Sequence, residues 1–292
     1  MIRGFWSLKG IKMSEFDIKF YKNRAKDWLE YSAVSRTYPP SFSHKLRKSH
    51  GGIKPPELIV ELISAFGPDS KNILDPFVGV GSTLIAASLL NKEAIGIDIN
   101  EQWKSIYQLV CEENNLRTKN FLTGDSRKIL KKFNNDTFDF VITDIPYFSM
   151  DKLKKTRGRF SKAGEPSKDK LKSSLNVFNE LPVPTYDEWI QLLKDIFTEA
   201  FRIIKNNSYL VIFIGNMYRN FDSFSDSKKR KIGKYLPLSV EVSELLIDIG
   251  YEHINELIWV DTAKKLGIYG YPYIWIPSLI DQRILIFQKL IN

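Results

Sequence analysis

A chain of 292 residues, 43% hydrophobic and 26% charged, is long enough for one large or two small domains and apolar enough to bury a core, which excludes a disordered tail and a fibrous or low-complexity protein. Its one cysteine, Cys111, excludes an intramolecular disulfide and a cysteine-held zinc or iron–sulfur centre, and fits a cytosolic redox setting. Lys and Arg outnumber Asp and Glu by 43 to 34, a net charge of +9; no apolar run approaches the roughly 20 residues of a membrane helix, and the opening MIRGFWSLKGIKM is no secretory signal, so a soluble, cytoplasmic protein with no membrane partner is expected.

In chain order, residues 1–43 form an N-terminal arm with several aromatics, the break Tyr38-Pro39-Pro40 and no assignable motif. Pro55 and Pro56 then open an apolar-periodic stretch, Glu57 to Phe66, that ends at Gly67 and predicts a helix. Strands are predicted at Asn72 to Asp75, Ala94 to Asp98, Asn120 to Thr123 and Phe138 to Thr143, with helices at Gly81 to Leu90 and Gln102 to Glu113 between them. This βαβαβ order is the signature of a parallel sheet covered by helices on both faces. A helix from Tyr186 to Ile204, a strand from Tyr209 to Ile214, a helix from Ser239 to Ile249 closed by Gly250, and β-rich runs at Ile254 to Val260 and Arg283 to Gln288 complete the chain. The reading is one α/β domain over residues 44–292, with insertions at about 148–185 and 216–237.

The positive charge is concentrated in those insertions. Residues 151–172 hold nine basic and three acidic side chains, and residues 228–234 hold five basic and none acidic, which leaves the rest of the chain slightly acidic. Such runs are often only solvated loops. Two basic inserts on a near-neutral body nevertheless suit a polyanion, nucleic acid ahead of membrane because neither run has an amphipathic apolar face.

Immediately after the first predicted parallel strand stands Asp75-Pro76-Phe77-Val78-Gly79-Val80-Gly81-Ser82-Thr83. A glycine-bearing turn from strand into helix lets a cofactor press against the backbone. Leu84 stands where a dinucleotide fingerprint needs a third glycine, and the lysine-bearing phosphate loop is absent. The next strand ends at Asp98, 17 positions after Gly81, and the one after that runs into Gly124-Asp125-Ser126. Either aspartate alone reads as a helix N-cap. With the glycine turn they describe a nucleoside pocket without phosphate recognition. At the end of the fourth strand comes Asp144-Ile145-Pro146-Tyr147-Phe148: an acid, a rigid turn and an aromatic pair. The plainer reading is a capped turn with Tyr147 in the core.

The ordered set DPFVGVGST, GIDIN, TGDS and DIPY resembles the S-adenosylmethionine-dependent amino-methyltransferases that modify adenine N6 or cytosine N4 in DNA. His50 to Leu58 is similar to the element that closes over the methionine part of the cofactor in that family, and Leu257-Ile258-Trp259 with Asp281 to Phe287 resembles its last two strands. The resemblance covers about residues 44–289 and implies a Rossmann-like class I methyltransferase sheet, mostly parallel with an antiparallel last strand. By position it implies that Lys54, Pro55, Asp75, Phe77, Gly79, Gly81, Ser82, Thr83, Asp98, Ile99, Asp125 and Ser126 hold S-adenosylmethionine, Asp98 taking the ribose and Asp125 facing the adenine amino group. It implies a catalytic tetrapeptide of Asp144, Ile145, Pro146 and Tyr147. Ile145 departs from the family's usual proline, which keeps the needed main-chain carbonyl but puts loop rigidity in question; some RNA guanine-N2 methyltransferases carry an aliphatic residue there.

An exocyclic base amine is a poor nucleophile because its lone pair is delocalised into the ring. Hydrogen bonds from its two N–H groups to Asp144 and to the Ile145 carbonyl would turn the lone pair toward the donor methyl, and no metal is required. A base in a duplex must be flipped out and stacked, with Tyr147 and Phe148 as the platform. Tyr269, Tyr271, Tyr273 and Trp275 alternate along one side of an extended segment and could form a second wall, although a buried β-face accounts for them equally well. Lys154, Lys155, Arg157, Arg159, Lys162, Lys228, Lys229, Arg230 and Lys231 are the candidate nucleic-acid contacts. His44, His50 and His253 read as solvated or capping residues and Cys111 as core. The expectation is a methyltransferase for double-stranded DNA, with a restriction endonuclease as a candidate partner. The rivals are an RNA methyltransferase acting on guanine N2 or adenine N6, a nucleic-acid-binding protein without turnover and, more distantly, an NAD-dependent oxidoreductase.

Overall fold

Continuous apolar runs alternating with amphipathic stretches fold as strands and helices in turn. The computed structural model describes residues 27–32, 47, 50, 52–146, 186–218, 235–264 and 279–291. Strand β1 (Trp28–Tyr31) is followed by α1 (Pro56–Phe66), β2 (Asn72–Asp75), α2 (Ser82–Leu89), β3 (Glu93–Asp98), α3 (Glu101–Glu113), β4 (Asn120–Thr123), α4 (Ser126–Ile129) and β5 (Phe138–Asp144). Then come α5 (Tyr186–Ile203), β6 (Ile204–Ile214), β7 (Met217–Tyr218), β8 (Tyr235–Leu236), α6 (Leu238–Ile249), β9 (Tyr251–Asp261) and β10 (Asp281–Lys289).

Eight strands form one sheet in the order β1-β9-β10-β6-β5-β2-β3-β4. Strands β4, β3, β2, β5 and β6 run parallel, while β10 is antiparallel to both β6 and β9. This is the mostly parallel sheet with an antiparallel last strand that the motifs implied. The central strands are apolar throughout because helices cover both faces, yet period two still sorts their side chains. Phe140, Ile142, Val211, Phe213, Ile284 and Ile286 face the core under α1, α2 and α3, whereas Val141, Leu210, Ile212, Ile214, Leu285 and Phe287 face the core under α5 and α6. Phe138 breaks the alternation and joins the second core, where a register shift separates it from Phe140. Cys111 is buried in the first core. No described helix is long and apolar enough to cross a membrane.

The order of strands reverses at β2, whose neighbours are β3 and β5. Crossover connections from β2 and from β5 therefore depart to opposite sides and leave a crevice at the carboxyl ends. Asp75, Asp98 and Asp144 are the last residues of β2, β3 and β5, so the topology brings all three acids to one edge.

Strand β1, helix α4 and the antiparallel strands β7 and β8 have no counterpart in the sequence reading. Strand β1 comes from the arm of residues 1–43 and pairs in parallel with β9. The Tyr31 carbonyl accepts from the Trp259 indole at 3.0 Å, and the Tyr31 hydroxyl donates to Glu61 on α1. Leu29 is the buried residue of this strand. Leu29→Ala should lower the free energy of unfolding by about 2 kcal/mol in urea titrations; an unchanged midpoint would show that β1 contributes no core packing.

Candidate active site

The turn after β2 is built around a buried carboxylate. Asp75 accepts hydrogen bonds from the Phe77 amide at 3.0 Å, the Thr143 hydroxyl at 2.7 Å and the Thr83 hydroxyl at 2.5 Å. One side chain thus joins the end of β2, the first turn of α2 and the end of β5. Burial, with a lesser contribution from nearby Asp144, pushes its carboxyl up to about 6 against the pull of these bonds.

Gly79 and Gly81 have positive φ, 49° and 82°, which L side chains adopt at a cost. Space excludes them as well: a Cβ on Gly79 would lie 2.8 Å from the His50 ring, and one on Gly81 would lie 2.4 Å from the Tyr107 ring. The Gly79 amide donates to Asp98 at 3.0 Å, and Asp98 also accepts from the Asn100 amide at 2.8 Å. Asp98 therefore fastens the glycine loop to the end of β3, and it is Asn100 that caps α3. Ser82 donates to the Lys54 carbonyl at 2.8 Å and accepts from the buried Arg47 guanidinium.

Lys54, immediately before Pro55 and α1, forms an ion pair with Asp144. Its side chain is 4% exposed, and its ammonium lies 5.6 Å from the Phe213 ring centre and 5.5 Å from that of Trp259. Two aromatic faces and a carboxylate replace the water that a buried ammonium gives up. Beyond Asp144, Ile145 is 1% exposed and packs into the core under α5, and the Pro146 carbonyl accepts from the Trp189 indole at 2.7 Å.

A cleft of about 390 Å³ opens between these parts. Of the residues anticipated from sequence, Lys54, Asp75, Phe77, Gly79, Ser82, Thr83 and Asp144 line it. Pro55 caps α1, Gly81 and Asp98 support the loop from behind, and Ile99 lies exposed just beyond β3. Asp125 caps α4 and is gripped by Arg127 through both carboxylate oxygens, which holds its carboxyl below the ordinary value. Ser126 donates to the Pro76 carbonyl at 2.6 Å. Tyr147, Phe148, Lys154, Lys155, Arg157, Arg159, Lys162, Lys228, Lys229, Arg230, Lys231, the Tyr269 to Trp275 stripe and His44 lie outside the described residues.

His50 departs from the expectation of a solvated or capping residue. It lines the cleft, meets Trp103 edge-on at 4.9 Å, and is pushed down to about 4 by burial and by the charges of Lys54 and Arg47. His253 stacks on Phe287 at 4.4 Å. Arg47, Trp189, Phe213 and Trp259 were not anticipated at the site; Trp259 was noted only within a strand-like run, and the other three belong to no motif.

The perturbed pair Asp75 and His50 carries a testable pH dependence. Between about pH 4 and 6 the folded chain keeps a proton on Asp75 that the unfolded chain has released, so this group lowers stability as pH rises. His50 acts oppositely, because between about 4 and 6.5 the unfolded chain holds the extra proton. In Asp75→Asn the His50 slope is unopposed, so the gain in unfolding free energy from about pH 4.5 to 6.5 should exceed that of the wild type by about 2 kcal/mol. Parallel urea-derived curves for the two proteins would mean that Asp75 is ionised throughout.

Residues 6–109 match the family described as DNA methylase. A tRNA (guanine(10)-N2)-dimethyltransferase of Pyrococcus abyssi is 33% identical over 138 residues, 47% of this chain and 36% of that protein. The type II methyltransferase M.HpaI of Haemophilus parainfluenzae is 34% identical over 101 residues, 35% of this chain and 31% of that protein. Among solved structures, a SAM-dependent methyltransferase of Methanosarcina mazei aligns with a TM-score of 0.47 at 15% identity, over 79% of this chain and 98% of that one. The chain spans about a third of the length of the curated relatives it matches.

Proposed function

Because the chain belongs to the amino-methyltransferase family, whose methyl donor is S-adenosylmethionine, we propose that it methylates the exocyclic amine of a flipped-out base in double-stranded DNA, adenine N6 or cytosine N4. The observation that carries this reading is that Asp144, the head of the tetrapeptide, opens into the same cleft as the glycine loop.

The lining suits the donor. The ionisable residues of the cleft are Asp75 and Asp144 against the single cation Lys54, with His50 uncharged at neutral pH. An acid-rich pocket of this kind accepts a sulfonium and repels a polyphosphate. When bound, the donor supplies an electrophilic methyl on a positively charged sulfur. Gly79 and Gly81 would bring the loop backbone close, Asp98 would take the ribose with the carboxylate that also holds the Gly79 and Asn100 amides, and Lys54 and Pro55 would border the methionine end. Asp125 reaches the adenine ring only by sharing its carboxylate with Arg127.

The target amine donates to the Asp144 carboxylate and to the Ile145 carbonyl, which favours a pyramidal nitrogen with its lone pair toward the methyl. As the N–CH₃ bond forms, the S–CH₃ bond of the donor would break to leave a neutral thioether, and Asp144 would receive the proton that leaves nitrogen, while Lys54 supplies the counter-charge that the partly buried carboxylate needs. Tyr147 stacks the base. The basic inserts contact the nucleic-acid backbone. An endonuclease partner of the restriction–modification kind belongs to the same reading.

A second reading, guanine N2 or adenine N6 in RNA, is favoured by the similarity to the Pyrococcus tRNA enzyme and by the aliphatic Ile145. Incubation with methyl-labelled S-adenosylmethionine and separate pools of genomic DNA and tRNA, followed by nucleoside mass spectrometry, distinguishes the two. Label in N6-methyladenine or N4-methylcytosine from DNA is expected; label confined to RNA replaces the substrate, and no label in either pool sinks both readings.

Asp144→Ala should slow transfer by about a thousandfold or more while cofactor affinity stays within about threefold. Loss of both would mean that the cofactor and base pockets have been confused. Replacing Lys154, Lys155, Arg157, Arg159 and Lys162 with Gln should weaken nucleic-acid binding and flatten its dependence on salt, by roughly one unit of slope per lost phosphate contact; an unchanged slope assigns those residues to solvent.

A further inference from the structure

Trp189 stands 43 positions beyond Pro146, as the fourth residue of α5, and is not among the residues lining the cleft. It is nevertheless 1% exposed and packed in the same core as Ile145, and its indole N–H points at the Pro146 carbonyl at 2.7 Å. That is the short end of the range for such a bond. An indole is a donor only, so a buried one needs an acceptor. The acceptor here belongs to the tetrapeptide.

The consequence follows from counting torsions. Each residue has two soft backbone angles. The Pro146 ring sets its own φ, and the indole hydrogen bond restrains its ψ by holding the Pro146 carbonyl. Ile145 precedes a proline, which confines it to extended conformations, and its side chain is locked in the core. The family's usual proline at this position would restrict φ by a ring; here burial and the indole do the equivalent work from outside the turn. Resting on the reading of Asp144 and Ile145 given above, we propose that Trp189 is a positioning residue for methyl transfer, holding Pro146 and, through it, the Ile145 carbonyl in the geometry that receives the amine.

The test separates the hydrogen bond from the ring. Trp189→Phe keeps an aromatic ring and removes the N–H, and Trp189→His keeps a ring N–H on a smaller ring. The Tyr251→Phe variant serves as a control, because it removes a buried hydroxyl bonded to the Phe197 carbonyl on the same helix, away from the cleft. Single-turnover methyl transfer at saturating S-adenosylmethionine is measured on the active nucleic-acid pool, with rates normalised to cofactor sites titrated by calorimetry. Partial unfolding then does not enter the rate.

Trp189→Phe should lose about tenfold or more in rate with cofactor affinity within about threefold, Trp189→His should recover part of that loss, and Tyr251→Phe should stay within about twofold. A Trp189→Phe rate equal to wild type overturns the proposal. So does an equal loss in the Phe and His variants, which would assign the effect to ring volume, or a parallel loss of cofactor affinity, which would make Trp189 a general structural residue. A wild-type protein that labels neither pool would instead overturn the functional reading on which the proposal rests.

Discussion

The Asp75 carboxylate is the knot on which the site depends. Burying it is costly, as its raised proton affinity shows, and the fold meets that cost with donors from three different elements. The Phe77 amide starts the glycine turn, Thr83 lies in the first turn of α2, and Thr143 immediately precedes Asp144. Because one side chain grips all three, the glycine loop and Asp144 cannot shift independently. A parallel sheet makes this possible, since neighbouring strands end at the same edge and their last residues are neighbours in space.

Around that knot the supports are non-local and mostly aromatic. Trp259 belongs to β9, one strand in from the sheet edge; its indole is tied to the Tyr31 carbonyl of β1 and its ring faces the Lys54 ammonium. Through Lys54 this wall reaches Asp144. On the opposite face of the sheet, α5 supplies Trp189 to the Pro146 carbonyl. The Asp144 to Pro146 turn is thus held from both layers of the fold. Loop rigidity, the property put in question by Ile145, comes from packing: a branched aliphatic side chain fills the core where a ring would have limited φ.

The outcome at individual residues shows where sequence reasoning works. Strands β2 and β4 begin and end where their apolar runs and turn residues indicate, because period and punctuation are local properties. Strand β1 was invisible: four residues with a single buried side chain have no pattern of their own, and β9, the strand they pair with, lies more than two hundred positions away. His50 was misjudged for a similar reason. Nothing in its neighbours signals burial, which is imposed by Gly79 and Trp103 arriving from other elements.

By itself the sequence determined the alternation of strand and helix, the glycine turn after β2, the acids at three strand ends and the tetrapeptide after Thr143, since each is written in contiguous residues whose backbone preferences are intrinsic. Only the tertiary structure decided which charges and rings meet: Lys54 with Asp144 between Phe213 and Trp259, Arg127 on Asp125, and Trp189 on Pro146. Apart from Arg127, which stands two residues after Asp125, these partners share no short spacing or periodicity. Most are joined by the order in which strands enter the sheet and by the need of every buried charge and N–H for a partner, a requirement that acts on neighbours in space rather than in sequence.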